Sequence, residues 1–292
     1  MKILKLYLVL FLLTGMFWSC QKDEISSESI FKDSTKEKTE FDKWLLSNYT
    51  YPYNIEVKYK MEDIESDYTV QLVPAETDKC IAMAKLIKYL WLETFIECKD
   101  VDFMRSNVPR VIHLIGSGAY SSTGAVTLGT AEDGMKITLY AVNQVNPANP
   151  SIMDLRDRMR TCFHEFSHIL HQKKNYTTDF WKITNNDYVY NDWSQSINTL
   201  QIAYQKGFVS QYARKEPDED FVETLARYVV YGQDNWDSIL NAAGPDGASK
   251  ITQKLDIVRD YLNVSWGIDI DQLRWIFESR LGNINNLDLT HL

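Results

Sequence analysis

The chain has 292 residues and a formal charge of −9, with 40 acidic against 31 basic side chains. That balance, with no basic stripe, excludes a nucleic-acid partner. The length allows one sizeable domain or two closely packed ones.

Met1-Lys-Ile-Leu-Lys is a short basic start, and residues 6–18 form an apolar run too short for a normal membrane span. Residues 1–19 therefore read as a signal peptide. It ends at Ser19-Cys20, which makes Cys20 the expected lipidated N-terminus and a lipid anchor the expected tie to the membrane. Residues 20–40 hold few apolar side chains among Ser, Lys, Asp and Glu. Such a stretch cannot repay its ordering entropy, so it reads as a disordered tether. The folded domain is expected over 41–292, with a sheet-containing part at 41–150 and a site helix and helical lobe at 151–292.

Ile55-Glu-Val-Lys-Tyr alternates apolar and polar residues and predicts a strand. Residues 77–98 predict one long amphipathic helix that buries Ile81, Ala84, Ile87, Leu90, Trp91 and Phe95. Residues 110–115 predict a buried strand stopped by Gly116-Ser-Gly. Strands follow at 125–128 and 135–140, joined by a turn at Glu132-Asp-Gly. A helix is predicted over about 153–172, then helices at 194–206, 219–231, 237–243, 249–262 and 269–281. The class is α+β, with a small N-terminal mixed sheet with helices and a mainly helical C-terminal lobe. Cys80, Cys98 and Cys162 follow Cys20 with no Cys-x-x-Cys spacing, which argues against a disulfide framework. One helix over 77–98 would hold Cys80 and Cys98 too far apart to pair.

The predicted helix over 153–172 contains His164-Glu-Phe-Ser-His168. Histidines four apart leave one helix face about one turn apart, which suits two ligands of one Zn2+. Glu165, between them, is placed to act as a general base on a water. Two further positions of the longer motif His-Glu-x-x-His-x-x-Gly-x-x-His differ here, His171 for Gly and Lys174 for His, which excludes a metzincin. A third ligand is sought in Pro217-Asp-Glu-Asp-Phe-Val-Glu. There Glu219 and Glu223 share a helix face at i, i+4, with Glu219 toward the metal and Glu223 accepting an N–H from a ligand histidine. The alternatives are a solvated acidic first turn, or Asp218 or Asp220 as the ligand. His171 lies near the metal face, as a support for the site, a substrate contact or a further ligand. His113, on an apolar strand, is expected to be a core histidine.

The pair His-Glu-Phe-Ser-His and Glu219-Asp-Phe-Val-Glu223 resembles the zincin subgroup that includes anthrax lethal factor, departing at Val222, where that group has Ala. The resemblance implies a zincin-like fold, Glu219 as zinc ligand, and a transition-state role for the tyrosine seven residues before it, Tyr212. It also implies that the last strand before the site helix, here residues 135–142, is a sheet edge that binds extended substrate. More broadly, Phe41-Asp-Lys-Trp, Tyr51-Pro-Tyr-Asn-Ile-Glu-Val and His-Glu-Phe-Ser-His-Ile-Leu-His-Gln resemble the zinc-binding metallopeptidase lipoproteins of Bacteroidetes, described as substrate-import-associated zinc metallohydrolases. Gln21-Lys-Asp-Glu resembles the surface-export tag of such lipoproteins. This wider resemblance implies a surface-exposed outer-membrane lipoprotein, a peptide or glycopeptide substrate, and a TonB-dependent importer with its surface lipoprotein as partners. The implied reaction is zinc-dependent hydrolysis of a peptide bond, with Glu165 moving the proton. The alternative is a weakly active or non-catalytic binding lipoprotein of an import system that keeps a structural zinc.

Overall fold

The computed structural model describes residues 37–61, 71–120, 126–127, 129–132 and 135–292. The expected signal peptide, the lipidation site Cys20 and most of the tether lie outside these residues.

Thr39 opens the first helix with a reciprocal cap. Its hydroxyl accepts from the Asp42 amide at 3.1 Å, and the Asp42 carboxylate accepts from the Thr39 amide at 2.9 Å. Helix α1 runs through Glu40–Leu45, a wider π-type stretch Leu46–Thr50, and Tyr51–Tyr53. Asn54 ends it in the left-handed region, at φ 56°. Strand β1 is Glu56–Lys58. Helix α2 runs without a break through Thr77–Leu86, Ile87–Leu92 and Glu93–Cys98. Cys80, Cys98 and Cys162 are all free thiols. Helix α3, Val101–Asn107, is capped by Asp100 and leads to β2, Val111–Leu114.

Four short strands follow: β3 Ala119–Tyr120, β4 Val126–Thr127, β5 Gly129–Glu132 and β6 Lys136–Leu139. The main sheet has the order β1-β2-β6-β5, with β1, β2 and β6 parallel and β5 antiparallel to β6. Two expectations need correction. The hairpin partner of β6 is β5, not residues 125–128; β4 pairs with β3 in a separate two-stranded sheet. Glu132 stands opposite Lys136, and so short a connection fixes the register. The stretch 135–142 is likewise not a sheet edge, because β6 lies between β2 and β5. Ile137, Thr138 and Leu139 are all buried, as an interior strand covered on both faces requires. Among the described residues the outer strand on that side is β5.

Helix α4, Ile152–Lys173, has no Gly or Pro, and the Ser151 hydroxyl caps its start. Short α5 is Asp179–Lys182 and α6 is Leu200–Lys206. The expected helix at 194–206 therefore starts late, because the Thr199 hydroxyl caps α6 by accepting from the Ile202 amide at 3.2 Å. Helix α7 is Pro217–Val230, with proline in its first turn, where a missing N–H costs nothing. Helix α8, Gly232–Tyr261, is broken at Gly244 (φ 68°, ψ 177°) ahead of Pro245, so the helices expected at 237–243 and 249–262 are its two halves. Helix α9 is Ile270–Gly282.

The core surrounds α4. Phe95 of α2 meets Phe163 and Phe166 with ring centroids 5.1 and 5.0 Å apart, and Trp91 meets Phe166 at 5.7 Å. Each such ring contributes about 1.5–3 kcal/mol through burial. These aromatics orient α4, and α7 packs along it. That pairing sets the site.

Candidate metal centre

His164 and His168 leave α4 one turn apart, with ring centroids 4.9 Å from each other. Glu219, in the first turn of α7, faces both. Its Oε2 lies 3.1 Å from His164 Nε2 and 3.3 Å from His168 Nε2. One donor atom from each of the three residues falls within 4.8 Å of the others. Zinc at ~2.0–2.1 Å from each of its donors in a tetrahedron separates those donors by ~3.4 Å. The two measured separations are close to that edge, and two imidazoles with one carboxylate suit the chemistry of Zn2+, so the residues fit the ion.

Each histidine is held from behind. His164 Nδ1 lies 3.0 Å from Glu223 Oε1, and His168 Nδ1 lies 3.0 Å from His171 Nε2. Glu223 is fully buried and satisfied on both oxygens. Oε1 also accepts from Arg160 at 2.8 Å; Oε2 accepts from Ser210 Oγ at 2.7 Å and Arg227 Nε at 2.8 Å. Burial opposes its charge, but Arg227 and Arg160 hold the carboxyl well below its usual range. An ionised Glu223 accepts the Nδ1 proton of His164 and points Nε2 forward. Burial lowers the His164 pKa, yet its hydrogen bonds to Glu219 and Glu223 raise it to about 9. To hold a divalent ion, His164 would give up the proton that its Nε2 carries in the charged imidazole.

Glu165 is buried, and burial raises its pKa while the two imidazoles pull it down. That shift moves a carboxylate toward the range useful to a general base. The Tyr212 hydroxyl donates to Glu219 Oε1 at 2.7 Å, and Trp193 stands edge-on to its ring at 4.9 Å. Burial, then the charge of Glu219, raises the Tyr212 pKa, so the phenol keeps its proton. The alternative ligands lie elsewhere: Asp218 accepts from the Tyr176 hydroxyl, and Asp220 is buried against Lys254. His113 is buried on β2.

Sequence reasoning missed Arg160, Ser210, Lys215 and Arg227. Three of them stand at four-residue spacings from site residues, which alone do not say what they bind. Arg160 precedes His164 by four residues, Lys215 precedes Glu219 by four, and Arg227 follows Glu223 by four. Ser210 carries no such signal.

Residues 34–271 match the model of the family described as "Putative zinc-binding metallo-peptidase". No curated protein matches the chain. The crystal structure of a putative zinc-binding metallo-peptidase from Bacteroides caccae is similar, at 44% identity and a TM-score of 0.77. The match covers 90% of this chain and 99% of that one. With its paired histidines and facing glutamate set in a matching α+β fold, the chain belongs to this zinc-binding metallo-peptidase family.

Proposed function

We propose that the chain is a zinc-dependent peptidase that hydrolyses peptide bonds, with His164, His168 and Glu219 as the metal ligands. The observation that carries this reading is Glu219 Oε2 facing both Nε2 atoms at 3.1 and 3.3 Å, with buried Glu165 on the same helix. Zinc held there supplies Lewis-acid chemistry, polarising a carbonyl and making a water acidic near neutral pH. Glu165 accepts a proton from the attacking water and returns it to the leaving amine. The Tyr212 hydroxyl turns from Glu219 to donate to the developing oxyanion. Glu223 and His171 keep both imidazoles in the ligating orientation. An extended peptide adds its backbone to the outer strand β5, which packs near α4.

The same proposal places the protein on the bacterial surface as an outer-membrane lipoprotein acylated at Cys20, working beside a nutrient importer. The basic start, the apolar run and Ser19-Cys20 support the anchor, and the surface and importer placement rests on the family resemblance alone. Labelled fatty acid incorporated by the wild type and not by Cys20→Ala tests the anchor.

The test of activity is purified protein with measured zinc content on a mixed peptide library, with Glu165→Gln as control. Cleavage by the wild type alone supports the reading. Stoichiometric zinc with no cleavage of peptides or glycopeptides points instead to a surface binding protein with a structural metal.

A further inference from the structure

The Glu219 carboxylate is used asymmetrically. Oε2 faces the two imidazoles, while Oε1 accepts the Tyr212 hydroxyl at 2.7 Å and Lys215 Nζ at 2.9 Å. Lys215 follows the 3-10 turn Tyr212–Arg214 directly and stands four residues before Glu219. It reaches the carboxylate from the solvent side, with its side chain 30% exposed, and Nζ also lies 3.0 Å from Glu216 Oε1. The ammonium sits 5.5 Å from the centre of the Tyr212 ring.

A carboxylate meets a metal with one oxygen or with both. Donors on Oε1 occupy its lone pairs and leave Oε2 as the ligating atom. One oxygen and two imidazoles give three donors and leave a fourth position for a water, whereas a second carboxylate oxygen would add a fifth donor and crowd that position. Tyr212 has a single O–H and cannot serve Glu219 and an oxyanion at once. Lys215 has three donors and can remain on Oε1 when the phenol leaves.

Resting on the metallopeptidase reading, we propose that Lys215 is a positioning residue that holds Glu219 as a one-oxygen ligand and keeps Oε1 occupied while Tyr212 turns to the substrate. No previous step of the mechanism needs this ammonium. Its partly exposed place argues against a packing role, so its removal should leave the fold intact.

The experiment replaces zinc with Co2+ and compares the visible spectrum of wild type and Lys215→Met, after circular dichroism has shown both folded. The expected result is a weaker cobalt band in the variant, the mark of a coordination number raised from four to five. Lys215→Arg, which keeps donors and charge, should return the spectrum toward wild type. A zinc dissociation constant shifted by about 10- to 100-fold should accompany the Lys215→Met change. A Lys215→Met spectrum identical to wild type overturns the proposal, even if affinity falls, because charge alone would then be the contribution. A wild type that takes up neither metal overturns the metallopeptidase reading itself.

Discussion

His164 Nδ1 and Glu223 Oε1 stand 3.0 Å apart, and the same carboxylate accepts from Arg160 and Arg227. One buried side chain thus orients a metal-facing imidazole and joins α4 to α7. Glu223→Gln keeps the volume but takes from Arg160 and Arg227 the carboxylate they share. The expected loss of stability is about 3 kcal/mol. Zinc affinity should fall about 10- to 100-fold. Thermal melts and a zinc titration check both; unchanged values would contradict the network.

In the proposed mechanism Glu165 moves protons rather than holding the ion. Glu165→Gln should therefore bind zinc like the wild type and lose about 10²–10⁴ in turnover. Metal analysis beside a peptide-cleavage assay separates the two effects. A variant that fails to bind zinc would make Glu165 a ligand.

Because the three donors face one another in the folded chain, the ion should bind that state far better than the unfolded one. Free zinc at about 100 times its dissociation constant should add about 2.7 kcal/mol. Differential scanning calorimetry with and without a chelator measures it. An unchanged melting temperature would argue against the His164–His168–Glu219 centre.

Lys254 and Asp220 form a fully buried pair, with Nζ donating to Oδ2 at 2.6 Å and to the Gly207 carbonyl at 2.9 Å. Burial pushes the Asp220 carboxyl up to about 6, against the pull of Lys254. Lys254→Met should cost about 3–5 kcal/mol, because it leaves an uncompensated buried carboxylate. Adding Asp220→Asn should recover part of that loss. Urea unfolding of the single and double variants decides; a double variant as unstable as the sum of both singles would refute the pairing.

Asp42 carries a pH dependence of known sign. Burial raises its pKa, but the Thr39 amide, Tyr59 and Lys60 outweigh it and bring the value down from 3.8 to about 2. A carboxyl depressed on folding contributes above its unfolded pKa and loses that contribution as pH falls through the folded value. The window is therefore about pH 4 to 2. Asp42 is partly exposed, so solvent screening keeps the contribution under about 1 kcal/mol. The stability gap between wild type and Asp42→Asn should be full at pH 7 and should narrow in that acid window, as urea midpoints would show. A widening gap would contradict it.

The helices were readable because their signals are local. Pro217 with three acids behind it marked the start of α7, and the absence of Gly and Pro marked α4. The spacing of His164 and His168 put both on one face, and the structure turns that face toward Glu219. Strand order was not readable, because pairing depends on partners distant in sequence. The predicted strand at 125–128 gave β4, which pairs with β3, while the partner of β6 is β5, whose Gly129 and Ala131 carry little strand signal. The arginines around Glu223 obey helical spacing, but nothing in the sequence says which exposed-looking cations a buried acid will recruit. Ser210 approaches Glu223 through a non-helical segment between α6 and α7, so no periodicity announces it.

Along residues 163–166 two aromatic rings flank a histidine and a glutamate: Phe163 and Phe166 lock into the stack from α2, while His164 faces Glu219 and Glu223. Heat that loosens the rings must also tilt the imidazole they carry. On the proposed reading, the softening of that stack sets the ceiling temperature of the chemistry, and a cavity opened beneath Phe166 would be felt at the far side of the helix as a misaimed nitrogen.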